Sequence, residues 1–270
     1  MTGAPLGAPA GVPRAAGTAP VSLEIAVTSP AGARTARAHG ADRVELCTGL
    51  ELGGLTPSAA TVEAAAAVGP PVQALVRCRP GDFVYDAEEI ALMVAEVRSV
   101  VASGAAGVVV GALTAEGTLD TDAVARLADA AHDRGSSVDV TLHRAVDQSA
   151  DPVATAALLL PLGVTRVLSS GGAATAAEGL ATLTGMVAAA PGLQVMAGGG
   201  VRVDDIPALV GAGAAAVHLS AKRRAEPRRA GGWTPLGAAG TSADEDTHFV
   251  TDPALVAAAR RTLDGTARAR

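Results

Sequence analysis

The stretch HGADRVEL at residues 39–46 sets a glycine ahead of a short apolar run. The chain repeats that order at SGAAGVVVG (103–111), RGSSVDVTLH (134–143), LGVTRVLSS (162–170) and GAGAAAVHLS (211–220). In each copy the glycine is read as closing a preceding helix in the left-handed conformation that only glycine adopts cheaply, and a strand follows within a few residues. LEIAV (23–27), PVQALVR (71–77) and LQVMAGGG (193–200) bring the count to eight strands. Eight strands separated by helical segments predict an α/β fold, a single (β/α)8 TIM barrel with parallel strands. Functional residues of such a barrel gather where the strands end.

The strands run from Ser22 to Ser220, about 200 residues, which is the compact end of the barrel range and leaves little for a second domain. Aromatic residues are only 1% of the chain against 49% hydrophobic, so Val, Leu, Ile and Ala must fill the core. A net charge of −6 without a long single-sign run gives no electrostatic footprint for nucleic acid. Lys222, Arg223, Arg224, Arg228 and Arg229 form a local cluster, read as part of a solvated loop.

Two cysteines, Cys47 and Cys78, make no disulfide framework and suit a reducing compartment. Residues 1–20 are rich in Ala, Pro and Gly, with neither a basic start nor an apolar segment. They are expected to be a disordered leader rather than a signal peptide. No apolar run reaches the roughly 18 residues a membrane span needs, so a cytoplasmic, membrane-free location is expected. Ser29-Pro30, Thr56-Pro57, Asp151-Pro152 and Asp252-Pro253 read as helix starts, a capping oxygen before a proline at the first helical position. Residues 221–251 read as a long loop, followed by a helix from Pro253 to about Leu263.

Strand parity decides which polar groups can meet. Arg43, Glu45 and Cys47 share one face of the second strand, Arg77 and Arg79 one face of the third, and Asp139, Thr141 and His143 one face of the fifth. With Glu24 on the first strand, the expected ring at the strand ends is Glu24, Glu45, Arg77, Arg79, His143, Arg144, Asp147 and His218. His143 is the leading candidate for acid–base work, because an ordinary imidazole titrates near neutrality. Glu24 or Glu45 is the candidate base. Arg77, Arg79 and Arg144, with the backbone of Gly198, Gly199 and Gly200 after the seventh strand, are candidates for holding an anion. Ser169 belongs to a second glycine-containing loop, after the sixth strand. His132 and His248 receive no role.

Taken together, several segments resemble the CutC family of copper homeostasis proteins. They are LEIAVTS (23–29), GADRVELCTGLELGGLTPS (40–58), RCRPGDFVYDAEEI (77–90), GVVVGALTAEGTLD (107–120), VTLHRAVDQSADP (140–152), TRVLSSGG (165–172), VMAGGGV (195–201) and VHLSAK (217–222). The resemblance implies a TIM barrel, a cytoplasmic location, self-association as a dimer or tetramer, and a link to copper. Cu(I) favours soft thiolate ligands, so Cys47, in the family's ELC motif, is the leading metal candidate and Cys78 the second. Other members often carry cysteine just after the first-strand Glu, where this chain has Ala26 and Val27. The resemblance therefore favours a copper homeostasis protein that binds Cu(I) through cysteine, with the alternative of an enzyme acting on a small anionic or phosphorylated substrate by acid–base catalysis at the strand ends.

Overall fold

The computed structural model describes residues 20–133, 138–226 and 248–268. The expected leader, except for residue 20, and most of the expected 221–251 loop lie outside the described residues.

Eight strands close into a parallel barrel in sequence order. They are β1 (Ser22–Val27), β2 (Arg43–Leu46), β3 (Val72–Leu75), β4 (Gly107–Val110), β5 (Asp139–Leu142), β6 (Arg166–Ser169), β7 (Gln194–Gly198) and β8 (Ala216–Leu219). The helices are α1 (Pro30–Ala38), α2 (Ala59–Ala66), α3 (Ala87–Ala102), α4 (Thr121–His132), α5 (Pro152–Ala157), α6 (Leu180–Ala189), α7 (Ile206–Gly211) and α8 (Pro253–Arg268). Register closes the ring where Glu24 of β1 lies beside Arg43 of β2 on one side and His218 of β8 on the other.

Caps explain most helix starts. Ser29 accepts from the Gly32 amide ahead of α1, Asp151 from Val153 and Ala154 ahead of α5, and Asp252 from Ala254 and Leu255 ahead of α8. Thr56 does not cap α2. Its hydroxyl accepts from the Arg77 amide and donates to Glu96, so the helix begins later, with Ser58 accepting from Thr61.

The stretch 221–251 is not all loop. Lys222–Arg224 forms β9, antiparallel to β10 (Phe249–Thr251). The cationic heads of Lys222 and Arg224 lie 4.2 and 5.7 Å from the Phe249 ring centre, giving a basic, exposed strand an aromatic to pack on. The last helix also runs further than expected, to Arg268.

Side chains of one strand parity, among them Leu23, Ile25, Val44, Leu46, Val108, Val140, Leu142 and Val217, pack with Met93, Val97, Leu127, Leu183 and Leu209 of the helices in one continuous core. The other parity fills the barrel. Two small apolar groups stand there, Cys47–Leu75–Val109 and Leu168–Met196–Ala216. Between them the interior is polar and buried: Glu24, Arg43, Gln73, Thr141 and Arg166. Arg166 donates to Gln194, Thr141 and Asp139, and Arg43 donates to the Glu24 carboxylate and contacts Met196 Sδ at 3.2 Å. Gly107 leaves the space that the Gln73 amide occupies.

Breaking such a pair strands the remaining charge in a place water cannot reach. Glu24→Ala is therefore expected to lower unfolding free energy by about 3–5 kcal/mol, read from urea unfolding curves. A loss below about 1 kcal/mol would show that Arg43 finds other compensation.

Candidate functional site at the barrel mouth

At the C-terminal strand ends a cavity of about 210 Å³ is lined by Ala26, Glu45, Leu75, Arg77, Phe83, His143, Arg144, Gly199, Gly200, His218 and Ser220, among others. β1, β2 and β8 supply its acid side. His218 donates through Nδ1 to Glu24 Oε1 at 2.8 Å, and Arg43 donates to the other oxygen of the same carboxylate. Gly198, the β7 neighbour of His218, has no room for a Cβ against His218 and Leu168, so the imidazole depends on glycine there. Glu24, Glu45 and His218 bring one ligand atom each within 4.8 Å of one another.

The two carboxyls are driven apart. Burial alone would raise Glu24, but the hydrogen bond from His218 and the charges of Arg43 and His218 bring it down to about 2. Among the described residues Glu45 has no such partner, and its buried Oε2 makes no hydrogen bond. Burial, reinforced by the Glu24 charge and only partly offset by His218, pushes it up to about 7. For His218, burial lowers the pKa, but the charge of Glu45 and the contact with Glu24 outweigh it, leaving it above the ordinary imidazole value. The two neighbouring carboxyls are thus shifted to opposite sides of the ordinary carboxylate value.

His143 differs from the expectation. It is buried, and burial together with the Arg77 charge takes its pKa down to about 3, so it stays neutral rather than serving as a proton donor near pH 7. Its Nδ1 accepts from the Ala145 amide at 3.1 Å, which places the ring proton on Nε2. That Nε2 is buried and has no partner among the described residues.

The expected arginines divide. Arg77 lines the cavity, but it donates to the carbonyls of Leu52, Gly54 and Gly81, clamping the loops after β2 and β3, and its Nε alone is left without a partner. Arg79 does not reach the cavity. It is ion-paired with Glu89 and Asp82 and stacks on Tyr85. Arg144 does line the cavity, with Nε on Asp147 and Nη2 on Ser170 Oγ, and its guanidinium lies against Gly199, where a Cβ would come 2.9 Å from Cζ.

Asp147 and Ser169 belong to the frame rather than the cavity. The Asp147 carboxylate accepts from Ser169 Oγ, the Ser170 amide and hydroxyl, and the Gly172 amide, so the loop after β6 already holds an internal anion. By contrast the amides of Gly199, Gly200 and Val201 make no hydrogen bond among the described residues, and Gly199 and Gly200 take φ of 102° and 62°, open to glycine and costly for others. Gly198 ends β7 under His218 and does not line the cavity.

Cys47 sits inside the barrel, fully buried, and burial with the nearby Glu45 charge pushes its thiol well above the ordinary value. Cys78 is half-buried and packs on the outer core, a different cluster from that of Cys47. The parity rule that found Glu45 also marked Arg43. Arg166 and Phe83 went unread: the first follows from the same alternation on β6, the second from nothing short of the folded loop.

Fold and site together define a (β/α)8 barrel protein whose ionisable groups are gathered at the C-terminal strand ends. Residues 21–223 match the CutC family, and the chain belongs to that family. Family protein CutC of Xanthomonas campestris pv. campestris (strain B100) is 42% identical over 205 residues, spanning 75% of this chain and 84% of that one. The Klebsiella pneumoniae (strain ATCC 700721 / MGH 78578) relative is 37% identical over 252 residues, 89% and 97% of the two chains. Among solved structures, a CutC from Streptococcus agalactiae bearing a copper-homeostasis name superposes with a TM-score of 0.68 at 26% identity, covering 74% of this chain and 98% of that one. Thiamine phosphate pyrophosphorylase from Pyrococcus furiosus, at 13% identity and a TM-score of 0.54, shares the fold alone. No helix among the described residues is long and apolar enough to cross a membrane.

The raised pKa of Glu45 has a stability consequence. A carboxyl whose folded pKa lies above its unfolded value of 4.5 contributes stability that is present below pH 4.5 and is lost as pH rises through about 7. Glu45→Gln removes that loss. Thermal melts should show the variant and wild type close at pH 5 and the variant higher at pH 8.5, by on the order of 2–3 kcal/mol. Parallel profiles across that range would mean Glu45 is already ionised in the acid range.

Proposed function

We propose that this CutC-family chain takes up a small anionic molecule at the barrel mouth and performs acid–base chemistry on it. Glu45 is the proton acceptor, and His218, positioned by Glu24, stands beside it. The observation that carries the reading is the buried, unpartnered Glu45 carboxyl at the cavity wall, held near pH 7 in its titration while its neighbour Glu24 stays ionised. Arg144 and the free amides of Gly199, Gly200 and Val201 supply the anion-binding side.

The family name points to copper, and the residues can be tested for it. Cu(I) calls for closely placed thiolate or thioether ligands. Cys47 is a single buried thiol whose ionisation is strongly disfavoured, and Cys78 belongs to another layer of the core. At the carboxylate cluster Glu24 is already neutralised by Arg43 and His218. Neither set fits a resident copper ion, so any part in copper homeostasis is read as acting through the small-molecule site. Two free cysteines suit a reducing, cytoplasmic setting.

Calorimetric titration with inorganic phosphate and with malonate, beside a Cu(I) titration against a competing chelator, separates the readings. Saturable anion binding weakened about tenfold in Arg144→Ala, with no tight Cu(I) equivalent lost in Cys47→Ser, is the expected result. One tight Cu(I) per chain that disappears in Cys47→Ser, with no anion binding, would replace this proposal with the thiol reading.

A further inference from the structure

Building on that reading of the mouth as a small-anion site, we propose that the reaction there is removal of a proton from a carbon next to a carbonyl group. Glu45 receives the proton, and the Nε2–H of His143 donates a hydrogen bond to the carbonyl oxygen as it becomes an enolate.

Three buried polar atoms on the cavity-lining residues make no hydrogen bond among the described residues: an acceptor, Glu45 Oε2, and two donors, His143 Nε2 and Arg77 Nε, the rest of the Arg77 guanidinium being spent on loop carbonyls. Glu45 Oε2 is an acceptor when ionised, and His143 Nε2 is a donor because Nδ1 is taken by the Ala145 amide. Glu45 is 7% and His143 5% exposed, so neither is satisfied by bulk water. They rise from β2 and β5, three strands apart in an eight-stranded ring, and line the same cavity from different sides. A base and a hydrogen-bond donor separated by a cavity suit a substrate that places a C–H toward one and a carbonyl oxygen toward the other.

The His143 ring is held for this task. A Cβ on Gly111 would come 2.5 Å from its Cε1, and Phe83 packs on it with ring centres 4.7 Å apart. A neutral imidazole cannot supply a full proton at neutral pH without forming an unstable imidazolate. It can stabilise developing negative charge on oxygen through a fixed hydrogen bond. The third side of the cavity, Arg144 with Gly199, Gly200 and Val201, holds an anionic substituent.

The step balances without a co-reactant. The C–H bond breaks and its proton passes to Glu45. The electron pair left on carbon forms the C=C bond, and the carbonyl π pair moves to oxygen under the His143 hydrogen bond. Glu45 then returns the proton to the same carbon as the carbonyl π bond re-forms. The substrate class is a small carbonyl compound bearing a phosphate or carboxylate group.

The test compares planar mimics of the enolate with tetrahedral ligands of matching charge group: phosphoglycolohydroxamate against glycerol 3-phosphate, and oxalate against glycolate. Calorimetry on wild type should show at least one planar ligand binding about 100-fold tighter than its counterpart. That preference should collapse in His143→Ala, return in part in His143→Gln, which keeps a side-chain N–H, and be accompanied by a downfield move of the His143 Nε2 proton in NMR spectra. Far-UV melts establish that each variant is folded. If planar and tetrahedral ligands bind equally, the anion site stands and the enolate step is overturned. If none of the four binds, both fall.

Discussion

Inside the barrel the Glu24 carboxylate is shared between Arg43 and His218, and the electrostatics of the mouth depend on how that charge is divided. With Arg43 and the His218 Nδ1–H as partners Glu24 stays ionised. It fixes the His218 ring and adds a negative charge next to Glu45, whose Oε2 makes no hydrogen bond among the described residues. The same interaction thus lowers one pKa and helps to raise the other. It also accounts for a polar barrel interior, since a buried arginine needs its counter-ion within the same layer.

The fold was legible because its signal is repeated. Each strand is short, apolar on the parity that meets the helices, and preceded by a turn, and Gly40, Gly104, Gly163 and Gly213 take the positive φ expected of helix-closing positions. Parity also exposed Glu24, Glu45 and His143 as members of the inner face. What parity cannot supply is who pairs with whom. Arg77, Arg79 and Arg144 look alike in sequence. In the fold one clamps two loops, one is held by Glu89 away from the cavity, and one faces it. The ordinary imidazole pKa is all that sequence offers for His143, and burial beside Arg77 takes it well below that value. Thr56 looked like a cap until the Arg77 amide and Glu96 claimed its hydroxyl.

Cys47 keeps its place in the family pattern and lies directly beyond β2, yet its surroundings are Leu75, Val109 and Leu50, the company of a small buried hydrophobe. The loops after β6 and β7 make a similar contrast. Both are rich in glycine, but the first is filled by the Asp147 carboxylate, whereas the amides of Gly199, Gly200 and Val201 in the second make no hydrogen bond among the described residues.

The central claim is that Glu45 titrates near neutrality while Glu24 does not. Carbon-13 NMR of protein labelled at the glutamate carboxyls, followed from pH 4 to pH 9 and assigned with Glu45→Gln, measures this directly. The account predicts one carboxyl with a midpoint near 7, missing in that variant, and a second that stays ionised across the whole range and is missing in Glu24→Gln. Every glutamate titrating below pH 5 would contradict it.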